Sequence, residues 1–195
     1  MQVTMLNDQR LIVQYLDGNE KAFEELLLRH KGRIYTSIYL LVKDQELAED
    51  IFQEVFIKII NTLRGGKYNH EGKFVQWAMR IAHNMCVDHF RRQQRKPTVG
   101  GSASDSFDIF SVIPSGDDNA EQLIMKSQTH ERIRTLIDML PPEQREVVVL
   151  RHYADMSFKE ISQLTRVSIN TALGRMRYAL INIRRMVEEK EVLLQ

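Results

Sequence analysis

Three sets of side chains in this chain have the types and spacing to do chemistry. The stretch SINTALGRMRYALINIRR, residues 168–185, carries four arginines and no acid. At helical spacing Asn170, Leu173, Gly174, Arg177 and Arg184 share one side, with Tyr178 at its edge. Arginine and asparagine on such a side can bond base edges in a major groove, and leucine can meet a thymine methyl. Arg175, Arg184 and Arg185 suit phosphates. By charge alone the same helix reads as a solvated surface. The second set, DQELAEDIFQEVFIKII over 44–60, exposes Glu46, Glu49, Asp50, Gln53 and Glu54. That side repels DNA and suits a basic protein partner, although such a stripe is also an ordinary solvated face. The third set is FVQWAMRIAHNMCVDHFRRQQRK. It holds Arg80, Arg91, Arg92, Arg95 and Lys96 against one acid, Asp88, with Trp77, His83, Asn84 and His89 among them. Basic and aromatic groups together suit a single strand, whose bases can stack; Trp77 also reads as core.

His83, Cys86 and His89 are spaced three apart and invite a metal reading. Three-residue steps drift by about 60° each on a helix, leaving the two histidines roughly 120° apart, and no second Cys/His pair supplies a fourth ligand. A buried, packing Cys86 is the better expectation. No phosphate loop, nucleophile triad or paired-carboxylate motif stands out, so the expectation is a protein that is not an enzyme and has no cofactor, metal or small-molecule substrate.

Helices must position all three sets, because the pattern is helical throughout with no sustained alternation. Phe23, Leu26, Leu27, Ile34, Ile38 and Leu41 recur at helical spacing over 19–42. Asp44 can cap a helix whose stripe is Ala48, Ile51, Phe52, Val55, Phe56, Ile59 and Ile60. RGGKYNHEGK, 64–73, is a loop with three glycines. A helix over 74–95 places Phe74, Trp77, Ala78, Ile81, Met85 and Phe90 mainly on one side. Pro141-Pro142 ends one helix and starts the next. In FKEISQLTRVSINTALGRMR, 158–177, Ser157 caps a helix with Ile161 and Leu164 inward, a turn runs over 165–167, and Ser168 caps the next. That is the spacing of a helix-turn-helix, with Ala172, Met176, Ala179 and Ile183 as the inner stripe of the second helix. Arg166 occupies a turn position often filled by glycine, where another residue meets strained dihedrals.

Composition sets the organisation. The 195 residues are 43% hydrophobic and 27% charged, with a net charge of +1, which argues against coating nucleic acid by charge alone. No apolar run approaches the ~20 residues of a membrane span, the N-terminus lacks a signal-peptide pattern, and one cysteine excludes an internal disulfide; the expected location is cytoplasmic. From Pro97 to Met125 there are five acids and no Lys or Arg, with Phe107, Ile109, Phe110, Val112 and Ile113 among the apolar residues. The expectation is therefore all-α: two small helical domains, 1–95 and 119–195, joined by a flexible acidic linker over 96–118, with the helix-turn-helix in the second.

AEDIFQEVFIKI, WAMRIAHNMCVDHFRRQQR and LPPEQREVVVLRHYADMSFKEISQLTRVSINTALGRMRYAL resemble, in order and separation, the signature segments of extracytoplasmic-function sigma factors, the small bacterial initiation factors of RNA polymerase. The resemblance runs from about Ala22 to Met186 and implies roles by segment. Glu49, Asp50, Gln53 and Glu54 would bind core polymerase. Tyr68, Asn69 and His70 on the loop, with Arg80, Asn84, Asp88, Arg91 and Arg92 on the following helix, would capture and open the −10 element, Asp88 ordering its arginines. The linker would thread the polymerase's RNA channel. Ser168, Asn170, Thr171, Leu173, Gly174, Arg175, Arg177 and Tyr178 would read the −35 element. After Thr171 the family usually has an apolar and then a basic residue; here these are Ala172 and Leu173, and the basic group has moved to Arg177. The implied partners are core RNA polymerase, promoter DNA and an anti-sigma factor, which in this family is often membrane-anchored. The alternative is a stand-alone helix-turn-helix regulator, which leaves the 44–60 and 74–95 helices without roles.

Overall fold

The computed structural model describes residues 7–69, 72–95 and 132–192. The chain divides into two compact units, Met1–Ser102 and Ala103–Gln195. The expected linker, the helix resuming near Asn119, His70 and Lys96 lie outside the described residues. The described residues are helical, with no strand among them.

The first unit packs α1 (Asp8–Leu16), α2 (Glu20–Val42), α3 (Gln45–Arg64) and α4 (Phe74–Arg95). Local chemistry sets where these begin. Free N–H groups of a first turn need acceptors. The Asn7 side chain accepts from the Gln9 and Arg10 amides, Asn19 from Lys21, and Asp44 from Leu47 at 3.0 Å. α2 stops where Lys43 turns left-handed at φ 57°. α2 lies at the centre, with Leu26, Ile34, Ile38 and Leu40 essentially inaccessible, and packs on the other three helices. α3 contributes Ala48, Ile51, Val55, Ile59 and Leu63. Phe52 and Ile60, expected in that stripe, are only partly covered.

Two sequence expectations change here. The nine-residue α1, with Leu11, Ile12 and Tyr15 buried, was not among the anticipated helices. The inward side of α4 is also rotated from the expected one. Phe74, Val75, Ala78, Met79, Ala82 and Cys86 are buried, whereas Trp77, Ile81 and Met85 are half-buried and Phe90 is exposed. Small Ala78 and Ala82 let α4 sit close to its neighbours, so the larger rings are left at the margin.

The second unit contains a helix over 132–138 (α5), α6 (Pro142–His152), α7 (Phe158–Thr165) and α8 (Ile169–Val192). Pro142 opens α6, where its missing N–H costs nothing. α7 begins with a capping box: the Glu160 amide donates to Ser157 Oγ at 3.3 Å, and the Ser157 amide donates to Glu160 Oε2 at 2.8 Å. α7 ends at Arg166, left-handed at φ 58° and ψ 39°. Ser168 Oγ accepts from the Thr171 amide at 3.0 Å and starts α8. Ile161, Ala172 and Ala179 are fully buried, with Met176 and Met186 nearly so; Leu164 and Ile183 are half-buried. This is the helix-turn-helix anticipated from the spacing, α7 and α8 crossing on small inner residues.

Candidate nucleic-acid and polymerase-binding surfaces

On α8 the residues opposite the inner stripe stand clear of the core. Asn170 and Arg177 are exposed, Leu173 is 43% exposed and Tyr178 62%. Arg177 makes no ion pair among the described residues. Gly174 has open space where a Cβ would stand, so it leaves a gap in the outer face and is not required by internal packing. The structure separates three of the anticipated readers from this group. Ser168 and Thr171 face each other at 2.8 Å between hydroxyl oxygens and are occupied in starting the helix. Arg175 turns to the flank, 3.8 Å from Glu146 of α6, with only 26% of its side chain exposed. Asn182 donates to Gln144 of α6 at 2.8 Å, a second clamp on the same side. A groove of about 650 Å³ continues the outer face, lined by Phe158, Leu173, Leu180, Ile181 and Arg184 among others.

On α3 the anticipated acidic side is present as a surface. Glu49, Asp50, Gln53 and Glu54 are all exposed, opposite Ala48, Ile51, Val55 and Ile59. Ile57 falls on the same side, at seven residues from Asp50, and is 59% exposed. The sequence reading missed it. Its signal was available: position 57 breaks the inward stripe of 48, 51, 55 and 59, so an isoleucine there has to face out.

On α4 Trp77, Arg80, Asn84, Asp88 and Arg91 fall within about 80° of one another at about 100° per residue. They lie opposite the buried Val75, Ala82 and Cys86. Asp88 sits 3.7 Å from Arg91, both exposed, which orients the guanidinium without burying it. Arg92 is exposed at the edge of this group. At the head of the helix Tyr68 lies 4.6 Å from Trp77 and 6.4 Å from Phe74 between ring centroids, so the loop delivers an aromatic group to the basic side of α4. Trp77 is therefore a boundary residue, with one side on the protein and one open. Asn69 is exposed beside Tyr68. Gly66 and Gly72, at φ +63° and +68°, supply the left-handed turns at the two ends of this loop.

Cys86 is 1% exposed, and burial pushes its thiol up to about 12, so it is a packing residue at neutral pH. Among the described residues no group of three or more His, Cys, Asp and Glu is placed to hold a metal ion. No helix among them is long and apolar enough to cross a membrane.

Comparison with known proteins identifies the family. Residues 26–96 match Sigma-70 region 2, and residues 130–177 match Sigma-70, region 4. The chain is 30% identical over 179 residues to the RNA polymerase sigma factor CarQ of Myxococcus xanthus, covering 92% of this chain and 97% of that one. It is 25% identical to the extracytoplasmic-function sigma factor SigW of Bacillus subtilis, over 86% of this chain and 89% of the other. Two solved structures share the fold. They are the sigma factor RpoE of Bartonella quintana with the anti-sigma factor NepR (TM-score 0.62, 16% identity, 86% and 98% covered), and CnrH with the cytosolic domain of CnrY (TM-score 0.59, 21% identity, 94% and 99% covered). The two family matches cover α3 and α4 in one unit and the helix-turn-helix in the other, which defines a transcription initiation factor. The chain belongs to the extracytoplasmic-function sigma factors of the sigma-70 family, and it is a promoter-specific initiation subunit of RNA polymerase. The stand-alone regulator is not favoured, since it leaves the region 2 match without a use.

Proposed function

We propose that this sigma factor divides its work among the three surfaces. The outer side of α3, with Glu49, Asp50, Gln53 and Glu54 around the exposed Ile57, grips a basic surface of core polymerase. An apolar side chain ringed by charges is the arrangement in which exclusion of water strengthens the surrounding polar contacts. The basic side of α4 takes the −10 strand: Arg80, Arg91 and Arg92 meet phosphates, Asn84 offers a base contact, and Asp88 orders Arg91. Tyr68 and Asn69, and His70 from the family pattern, hold an unpaired base. The outer side of α8 reads the −35 duplex through Asn170, Leu173 and Arg177, with Tyr178 at the edge. Ser168 and Thr171 present the helix N-terminus to phosphate, and Arg175 supports the helix from its flank through Glu146. The units work as separate readers joined by the acidic segment. Bond formation belongs to polymerase; this chain supplies binding and aim, and acts in the cytoplasm where polymerase is.

The observation that carries this reading is the segregation of charge: α3 turns an acidic side outward while α4 turns a basic, aromatic one outward. The Bartonella relative was solved with an anti-sigma factor. By extension, a protein inhibitor covers one of these surfaces here. The test is transcription in vitro by core polymerase plus this protein, with the 5′ ends sequenced. The expected result is one set of start sites sharing −35 and −10 elements absent without the protein. Failure of the chain to co-elute with core polymerase would refute the assignment.

A further inference from the structure

The loop between α3 and α4 is tied to the short helix α1 directly at its near end and through His30 of α2 at its far end, and α1 precedes the residues matched by the region 2 model. At the near end, Arg64 is the last residue of α3. Its Nε donates to the Tyr15 hydroxyl of α1 at 2.8 Å, its guanidinium lies 5.6 Å from the centre of the Tyr15 ring, and Glu20 lies 3.1 Å away. Tyr15 is itself 4% exposed and packed against Phe23 with centroids 4.8 Å apart, so it is a fixed post. The backbone then turns at once: the Gly65 amide donates to the Asn61 carbonyl and the Lys67 amide to the Thr62 carbonyl at 3.2 Å. At the far end, Asp8 of α1 accepts from His30 Nε2 at 2.8 Å and from Arg29 at 2.7 Å. The His30 ring lies 5.6 Å from Phe74, the first residue of α4, and Phe74 meets Tyr68. A connected path therefore runs from α1 to each side of the loop.

We propose that α1 is a positioning element for the −10 strand: Tyr15 and Asp8 set where Tyr68 and Asn69 stand, without touching DNA themselves. The inference rests on the reading of this loop given above. The loop has two glycines in left-handed turns and no helix among its described residues, so its direction depends on how its ends are anchored. A buried tyrosine hydroxyl spent on the final residue of α3 is a more specific device than core packing needs, because phenylalanine would fill the same volume.

The test uses full-length holoenzyme with Tyr15→Phe, Arg64→Gln, their double mutant and Asp8→Asn. Trp77 is the only tryptophan in the chain and its ring lies tilted against Tyr68, so its acrylamide quenching reports the loop. The strand probe is a set of single-stranded oligonucleotides carrying the −10 element returned by the transcript sequencing, with each of the four bases at the unpaired position. Thermal midpoint and core affinity are followed as controls. The expected result is that Tyr15→Phe leaves core affinity unchanged, lowers the thermal midpoint by only a few degrees, raises Trp77 quenching and lowers base discrimination about fivefold, the low end for a hydrogen bond from a solvent-screened guanidinium. Arg64→Gln gives no additional loss in the double mutant. Wild-type quenching and discrimination in Tyr15→Phe and Asp8→Asn overturn the proposal. So does raised quenching with full discrimination, when Tyr68→Ala still weakens strand binding: the loop is then read but α1 does not aim it. If Tyr68→Ala also leaves strand binding unchanged, the loop is not the reader, and the inference falls with that assignment.

Discussion

Arg166 gives the sharpest quantitative expectation. It ends α7 in the left-handed region, φ 58° and ψ 39°, where a Cβ crowds the following carbonyl at a cost of about 1–2 kcal/mol. Its backbone has a defined job: the Arg166 and Val167 amides both close on the Ser162 carbonyl. Its guanidinium is exposed and makes no ion pair among the described residues. Glycine at this position keeps both amides and removes the strain, but gives the unfolded chain more freedom, an opposing term of about 0.5–1 kcal/mol. The net expectation for Arg166→Gly is about 0.5–1 kcal/mol of added stability, or roughly 2–8 °C in the melting point of a domain this small. Trp77 lies in the other unit, so tryptophan fluorescence is blind to the effect. The assay is amide hydrogen exchange at Ile161 and Ala172, with far-UV circular dichroism for the melt. Arg166→Ala is the control, since it removes the charge but keeps the Cβ and should give no gain. A glycine variant that melts at or below the wild-type temperature, or an alanine variant that gains as much, refutes the argument from strain.

Other expectations concern the surfaces and the buried histidine. Arg177→Ala should weaken promoter binding by about 1–3 kcal/mol if it makes a bidentate base contact, with discrimination relaxed at one position of the −35 element; this is measured by holoenzyme affinity on a panel of substituted promoters. Asp50→Arg should weaken co-elution with core polymerase on gel filtration while the transcripts that remain keep the wild-type start sites; changed start sites with intact co-elution would mean the two faces of the unit have been exchanged. For His30, burial holds the imidazole below its usual pKa, outweighing the Asp8 carboxylate and helped by the Arg29 and Arg33 charges, while the α4 ring against it, Phe74, is uncharged. The unfolded chain then binds the extra proton first, so stability should fall as pH drops through about 6.5 and continue falling to the lower folded value. Urea melts at a series of pH values between 7 and about 5 check this, and His30→Gln should flatten the trend.

The parts of the molecule that could be read from sequence are those governed by near neighbours. Asp44, Ser157 and Ser168 cap because an oxygen two or three residues before a free amide is a local fact. The strain at Arg166 was likewise visible from the length of the turn. What escaped depends on partners far along the chain. α1 is too short to show a periodic signal, and it is held by α2 and the end of α3 through Asp8 and Tyr15. The pairing of Arg175 with Glu146 is likewise set by a residue far back in the chain. α4 misled because Trp77 and Phe90 look like core by type, whereas two alanines occupy the inward side and the rings are displaced to its rim. The candidate surfaces were legible as charge on helical sides. Ile57 was not, because attention to charge passes over an apolar residue in the middle of an acidic side.

The two sides of α3 answer to different constraints, and this bears on how such proteins diversify. Ala48, Ile51, Val55, Ile59 and Leu63 are held by the core of the first unit, so most changes there cost folding. Glu49, Asp50, Gln53, Glu54 and Ile57 stand exposed on the opposite side, and surface changes of this kind usually alter stability by less than about 0.5 kcal/mol. A lineage can therefore retune or lose an outside attachment on this helix by single substitutions while inheriting the scaffold intact. Paralogues in one cell could drift apart in how strongly they compete for a shared partner long before their folds diverge.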